Sequence, residues 1–369
     1  MLKAFVNCII LSDGTEQSGK AVLIENDIIA DVVAISDVPV DVEVTDLGGA
    51  YLAPGFIDLQ IYGSGGKLFG GSPSVEALEQ MENDLLAQGT TGFLAAVATN
   101  TPQIVEQAIA AAKAYRKKAK GNFLGLHLEG PYLNPVRKGA HPAELIKKGT
   151  LTEIKSWVEQ AEGEIRIMTI APELQDEELI DYLNQQGIVI SCGHSNATYE
   201  EASGFFSKVQ AATHLYNAMP PIHHREPGLV PAIFKQKPYT SIVADGIHVS
   251  YPMIELAKRE LGDRLFLITD AVTSTSEGIY PHVFTGDRYT MPDGTLSGSA
   301  LTMLKAVQNC TENAGIPLAE AVNMASLYPA RLIKSDKQTG RIAKGFKANL
   351  TAFDSEFSMK VKTFNGSEF

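Results

Sequence analysis

Eight short apolar runs, rich in β-branched residues, recur through the middle of this 369-residue sequence, and helical patterns lie between most of them. They cover 55–62, 91–99, 123–128, 165–171, 187–192, 209–214, 241–245 and 265–269. A run of that length without polar alternation reads as a buried strand, and strands that alternate with helices read as a parallel sheet. The stretches SVEALEQMENDLLAQG and PQIVEQAIAAAKAYRKKAKG place apolar residues three and four apart, which is the spacing of one helix face. Gly89, Gly121 and Gly187 stand where helices should stop, because glycine accepts the left-handed conformation that ends a helix. The expected fold class is therefore α/β, a (β/α)8 TIM barrel, and the chain has a suitable length for one. A doubly wound open sheet is the alternative, since counting strands does not prove closure.

The two ends of the chain read differently. Residues 1–52 contain KAFVNCIIL, KAVLIEND and DIIADVVAI, strand-like segments with Asp13-Gly14 and Asn26-Asp27 as turns between them. GRIAKGFKANLTAFD and SMKVKTFNG are strand-like too, with a turn at Asn365-Gly366. This pattern predicts one small β domain built from 1–52 plus 335–369 and flanking a barrel of 53–334, although two unrelated edge extensions would look the same. After the eighth run, TGDRYTMPDGTL reads as a hairpin turning at Asp293-Gly294, and helices are expected over 299–313 and 317–327. No internal repeat, low-complexity tract or long linker is visible.

Composition narrows the function classes. A formal net charge of −12 opposes a general nucleic-acid partner, since a polyanion would meet a repelling field. An anionic small molecule remains open, given a few local cations. The three cysteines, Cys8, Cys192 and Cys310, are odd in number, widely spaced and without a CxxC pair, which fits free thiols in a reducing compartment. The N-terminus MLKAFVNCIILSDG lacks the features of a signal peptide, and no apolar stretch approaches membrane-spanning length. A cytoplasmic enzyme without a membrane partner is expected.

Candidate chemistry gathers in residues 187–217. Two apolar runs there each lead into a histidine, His194 and His214, with one short helical segment, 197–208, between them. On neighbouring parallel strands both imidazoles would share one rim, where α/β enzymes assemble metal sites. The run FLGLHLEGP delivers Glu129 to the same rim, while His248 follows the seventh run and Asp270 the eighth. One carboxylate and two imidazoles suit Zn²⁺ or a similar divalent ion with a position left open for water. An unliganded Asp270 could then take a proton from that water. Each residue alone has an ordinary structural reading: a hydrogen-bonded strand-end histidine, a loop cap for Glu129, an N-cap for Asp270. The coincidence of five on one rim outweighs those readings. Six of the eight histidines (His141, His194, His214, His223, His224 and His248) fall at strand ends or in the loops beyond. His127 lies inside a run and reads as core, and His282 receives no role.

HLEGPYLNPVRKGAH, GHSNAT, THLYNAM, HHREPG, DGIHV, TDA, DGTLSGSALTM and SLYPAR follow one another in this order. From PGFID at Pro54 to its end the chain resembles the N-acetylglucosamine-6-phosphate deacetylases of the amidohydrolase superfamily. The resemblance implies a (β/α)8 barrel with a small β-sandwich from both termini, a homodimer, and hydrolysis of the acetamide of an amino-sugar phosphate. It implies that Glu129, His194 and His214 hold one divalent metal ion per subunit, Zn²⁺ first, with Fe²⁺, Mn²⁺ and Co²⁺ as alternatives. Asp270 would be the catalytic acid and base, and His141 would polarise the acetamide carbonyl. Ala140, His141, Asn217, Ala218, Leu296, Ser297 and Gly298 would line the substrate site. Arg225 and His248 would bind the phosphate, the arginine reaching the neighbouring subunit's site. Rival readings are a deacetylase for the galactosamine epimer, another amidohydrolase such as a cyclic-amide hydrolase, and a non-catalytic scaffold. The intact Glu129, His194, His214 and Asp270 argue against the last.

One departure matters. Many amidohydrolases end the first strand in His-x-His for a second metal, whereas this chain has DLQIYG, with Gln60 and Tyr62 at those positions. A neutral amide and a phenol replace imidazoles poorly, so one tightly held metal is expected. Whether 271–295, rich in Ser, Thr and Gly, closes over the substrate is left open by composition.

Overall fold

The structure is a computed structural model that describes residues 2–275 and 277–368. Met1 and Phe369, at the ends of the expected β domain, and Ser276, within 271–295, lie outside the described residues.

The eight apolar runs form eight strands: β1 (Phe56–Ile61), β2 (Thr90–Ala98), β3 (Phe123–Glu129), β4 (Ile165–Ile170), β5 (Val189–Cys192), β6 (Ala211–Ala212), β7 (Tyr239–Ile242) and β8 (Leu265–Leu267). They lie side by side in sequence order, and β2 to β8 pair in parallel throughout. All six residues of β1 are buried, as a strand covered on both faces requires. The sheet closes where the Tyr62 N–H donates to the Ala271 carbonyl at 2.9 Å and the Asp270 N–H to the Gln60 carbonyl at 3.0 Å. Sequential order with closure is a TIM barrel and removes the doubly wound alternative.

Regular pairing in β6 is shorter than its apolar run because His214 turns left-handed, with φ 34°, and takes the chain out of the sheet. His127 proves to be core. Its Nδ1–H donates to the Leu59 carbonyl at 2.9 Å, and its Nε2 lies 2.7 Å from the Thr169 hydroxyl.

The helix Pro102–Arg116 shows why such segments form. The Thr101 hydroxyl caps it by accepting from the Ile104 N–H, proline fills its first turn, and Val105, Ala108, Ile109, Ala112 and Tyr115 form its buried face. Gly89 and Gly187 follow helix ends with φ of 79° and 71°, as expected. Gly121 does not: the helix stops at Arg116, and the Gly121 N–H donates to Glu82 Oε1 at 3.3 Å. The lysine-rich tail 117–120 offers no apolar face to bury, so nothing prolongs the helix. The helix expected over 317–327 is broken at Ser326 into Leu318–Ala325 and Leu327–Leu332, since Pro329 has no N–H to donate back to Ala325.

The chain divides into two compact units, one of 1–58, 83–92 and 302–369, the other of 59–82 and 93–301. In the first, a four-stranded and a six-stranded sheet draw on both termini, and Phe5, Val22, Ile24 and Ile29 of one share a core with Ile10, Leu52, Leu350 and Ala352 of the other. That is a β-sandwich. In the second, strands Arg288–Thr290 and Leu296–Ser299 form the expected hairpin, with Gly294 left-handed at its turn. The three cysteines are free and buried. Among the described residues no helix is long and apolar enough to cross a membrane.

Candidate functional site

The C-terminal ends of the strands carry the predicted chemistry. Glu129 is the last residue of β3, His194 and His214 follow β5 and β6 by two residues, and Asp270 follows β8 by three. His194, His214 and Asp270 all have positive φ, at 48°, 34° and 53°. Non-glycine residues in that region carry strain that persists where the surroundings over-determine it, commonly at functional sites. Close approach is enforced at Gly298, where a Cβ would stand 2.4 Å from Val272 Cγ1 and 2.6 Å from the Asp270 carbonyl oxygen. No larger residue fits there without moving the loop that aims Asp270.

Glu129 is 3% exposed and sits at the centre. Its Oε1 lies 3.1 Å from His214 Nε2 and 3.5 Å from His194 Nε2, and those two nitrogens are 3.1 Å apart. Its Oε2 faces His141 Nε2 at 3.2 Å and accepts from the Tyr62 hydroxyl. Donors about 2.1 Å from a tetrahedral ion lie about 3.4 Å from one another, so the Oε1 trio has the edge lengths of such a site. The tautomers fit as well. His194 Nδ1 is 2.8 Å from the Arg137 carbonyl, which only accepts, so its proton is on Nδ1 and a lone pair points at Glu129. Among the described residues, the buried Nδ1 atoms of His141 and His214 have no hydrogen-bond partner. Glu129, His141 and His194 form a second compact group, their ligand atoms all within 4.8 Å of one another. The residues present thus fit a divalent cation, with Glu129 and His194 common to both groupings.

The electrostatics follow from this crowding. Burial pushes the Glu129 carboxyl up, but the surrounding imidazoles of His141, His194 and His214 outweigh it and hold the group well below the usual range. Asp270 moves the other way. Burial and the Glu129 charge raise it, against partial relief from His214, His248 and His194. Burial and the neighbouring His141 lower His194. Burial and then Glu129 raise Tyr62 far above its ordinary value, so its phenol stays a proton donor.

Gln60 occupies the place where a second metal's ligand would stand. Its amide nitrogen lies 3.0 Å from Glu129 Oε1, 2.8 Å from Asp270 Oδ1 and 2.9 Å from the Tyr62 hydroxyl. An amide N–H and a phenol O–H present protons, not lone pairs, to the two carboxylates. Metal analysis of the purified protein is expected to find one tightly bound equivalent per chain, and two equivalents of similar affinity would overturn that expectation.

A cavity spanning about 840 Å³, part of it open to solvent, lies at this mouth. Ala140, His141, Asn217, Ala218, His248, Leu296, Ser297 and Gly298 line it together with Glu129, His194, His214 and Asp270. Arg225 is not brought there; it is exposed on the loop 221–226. His248 is engaged at both nitrogens, with Nδ1 2.6 Å from Asp245 Oδ2 and Nε2 2.6 Å from the Ser297 carbonyl. Burial opposes its charge, but the Asp245 carboxylate prevails and raises it, and with an acceptor facing each nitrogen the ring is placed as a protonated imidazolium would be. The sequence reading missed Tyr280, Val272, Leu68 and His282, which also line the cavity. Nothing in residue type separates three of these from ordinary core, while His282 carried a chemical signal in a segment of unassigned purpose. It also missed Glu173, whose carboxylate accepts from the Asn134 side chain at 2.9 Å, the Asn196 N–H at 2.9 Å and the Ser195 hydroxyl at 2.8 Å. One half-buried acid thereby ties the loop bearing His194 to the loop after β3.

Comparison with known proteins agrees with this geometry. The sequence pattern of the Amidohydrolase family matches residues 51–368. An N-acetylglucosamine-6-phosphate deacetylase of Haemophilus influenzae is 37% identical, over 99% of each chain. An N-acetylgalactosamine-6-phosphate deacetylase of Escherichia coli O157:H7 is 31% identical, over 89% of this chain and 90% of its own. The crystal structure of N-acetylglucosamine-6-phosphate deacetylase from Pasteurella multocida matches with a TM-score of 0.95 at 36% identity, covering all of both chains.

Proposed function

The chain belongs to the amidohydrolase family, and from that membership and the site's geometry we infer that it hydrolyses the acetamide of N-acetyl-D-glucosamine 6-phosphate. The products are D-glucosamine 6-phosphate and acetate, so the reaction is a step of amino-sugar catabolism. The observation that carries this reading is the meeting of Glu129, His194 and His214 with the unliganded carboxylate of Asp270 in one barrel mouth.

Glu129, His194 and His214 hold the divalent ion, which we take to be Zn²⁺. When bound, the ion acidifies water and polarises the acetamide carbonyl. The remaining work is done by side chains. Asp270, oriented by Gln60, accepts a proton as water attacks the carbonyl carbon, then returns it to the departing amine, which is too basic to leave unprotonated. His141, which faces Glu129 Oε2 at 3.2 Å and packs edge-on against His194, donates to the carbonyl oxygen as negative charge develops there. Ala140, Asn217, Ala218, Leu296, Ser297 and Gly298 hold the sugar.

The phosphate meets His248, a cation kept protonated by Asp245, although Nε2 must first release the Ser297 carbonyl. Arg225 supplies the second charge. Its exposure outside its own chain's cavity favours a cytoplasmic homodimer in which it reaches the partner's site, with the guanidinium forking onto phosphate oxygens. The β-sandwich of 1–52 and 335–369 is structural, and the barrel of 53–334 is catalytic.

Acetate release from N-acetylglucosamine 6-phosphate tests the reading. Turnover is expected to vanish on chelation, to return with Zn²⁺, and to be weak with the unphosphorylated sugar. A metal-loaded protein that releases no acetate would overturn the substrate assignment while leaving the barrel intact.

A further inference from the structure

His282 lines the site cavity and is only 8% exposed, yet the scheme above leaves it idle. Its Nδ1 is hydrogen-bonded to the Ser297 hydroxyl. Its ring lies flat on Tyr280, with centroids 5.8 Å apart and planes 11° apart. Tyr280 is itself pinned, its hydroxyl donating to the Thr99 carbonyl at 2.6 Å. The imidazole is therefore fixed on one face and at one nitrogen. Its other nitrogen, Nε2, has no protein partner among the described residues. A free imidazole nitrogen on the wall of a substrate-sized cavity is a ready partner for a polar group of the bound molecule.

The chemistry of the partner can be narrowed. Burial pushes the ring down to about 4, so it is neutral and no counter-ion for phosphate. The Ser297 hydroxyl can donate to Nδ1 or accept from it, and Nε2 then carries a proton or a lone pair accordingly. A hydroxyl group satisfies either tautomer, because it both donates and accepts. A carbonyl satisfies only one. His282 also shares Ser297 with His248, which takes the backbone carbonyl of that residue, so it stands on the wall assigned to the sugar.

We propose that His282 is a substrate-binding residue whose Nε2 pairs with a ring hydroxyl of the sugar, Tyr280 and Ser297 fixing its pose. The proposal rests on the deacetylase reading and deepens it. A rigid, directional partner for one hydroxyl discriminates between sugars that differ in the presence or orientation of that group.

The test begins with wild-type hydrolysis of N-acetylglucosamine 6-phosphate; its absence would refute the deacetylase reading rather than this one. With turnover in hand, His282→Phe should raise KM about tenfold, the scale of one lost hydrogen bond, with a smaller change in kcat. Calorimetric affinity for glucosamine 6-phosphate should fall by the same factor, His282→Gln should recover part of both, and metal content should stay at the wild-type level. Substrates lacking one ring hydroxyl provide a test on the wild-type protein alone. One of them should lose about tenfold in kcat/KM, and where His282→Phe folds, that penalty should disappear in it. The galactosamine epimer's relative kcat/KM should shift in the same variant. KM and product affinity within twofold of wild type in His282→Phe, equal losses confined to kcat in both variants, or no penalty for any deoxy substrate would each overturn the proposal.

Discussion

Asp270→Asn is expected to lower kcat by about 10³-fold, inside the 10²–10⁴ range of positioned acid–base catalysis, while the protein keeps its metal and its substrate affinity. The amide is isosteric, and its oxygen can still accept from Gln60, which now donates to Asp270 Oδ1 at 2.8 Å. Orientation survives and proton transfer does not, so the loss should fall on kcat and kcat/KM together with KM nearly unchanged. The pH profile gives a second readout. Burial and the Glu129 charge raise the Asp270 carboxyl above the usual aspartate range, and the base must be ionised to act. Activity should therefore fall on acidification at a higher pH than an ordinary aspartate would give, and that limb should vanish in the residual activity of the variant. Stability carries the opposite sign. A carboxyl raised in the folded state contributes stability below its unfolded pKa, and that contribution is lost as pH rises through the folded value. At neutral pH the ionised Asp270 is thus a burden, and chelated Asp270→Asn should melt above chelated wild type. Turnover within tenfold of wild type would remove Asp270 from the role.

The barrel and its metal-site candidates were legible because they rest on periodic or strongly typed signals. Strands buried on both faces must be apolar throughout, and four of the eight lead into a residue whose chemistry is rare in a core: Glu129, His194, His214, Asp270. Local conformational detail was less legible. Gly121 is the residue type that caps helices, but the helix ends earlier, at Arg116, for lack of an apolar face over 117–120, and the break at Ser326 depends on one missing N–H at Pro329. The cavity wall was legible only where a motif pointed. Tyr280, Val272 and His282 come from the segment after β8, which has no periodicity, and only the folded chain brings His282 against Ser297. Closure was unreadable in principle, since the bonds joining Gln60 and Tyr62 to 270–271 are backbone bonds and carry no residue signature.

Glu129→Gln should cost the protein its metal, taking occupancy from one equivalent per chain to below about a tenth, and kcat/KM should fall by more than about 10³-fold as the acidified water is lost. The substitution preserves shape, so its effect isolates charge and donor sense. As carboxylate, Glu129 accepts from Gln60 and Tyr62 and faces His141, His194 and His214. An amide must turn its NH₂ toward one of these groups. Toward Gln60 and His214 it meets an amide donor, and toward Tyr62 it meets the phenol proton, so one donor is left buried against another. The cation site loses the negative charge of Glu129 at the same time. The sign of the acid dependence follows from the same environment. Glu129 is held well below the ordinary glutamate range, so its contribution to stability is present above the unfolded pKa and lost as pH falls through the folded one. Chelated wild type should therefore resist mild acid better than chelated Glu129→Gln, the difference closing at the lowest pH, as followed by circular dichroism. A variant that held a full equivalent and turned over within tenfold of wild type would shift the ion onto His141 and its neighbouring histidines. His141, already 3.2 Å from Glu129 Oε2, would then be a ligand and the role of carbonyl polariser would fall vacant. Metal content and kcat in a parallel His141→Asn variant separate the two arrangements: full occupancy with reduced turnover belongs to the first, loss of the ion to the second.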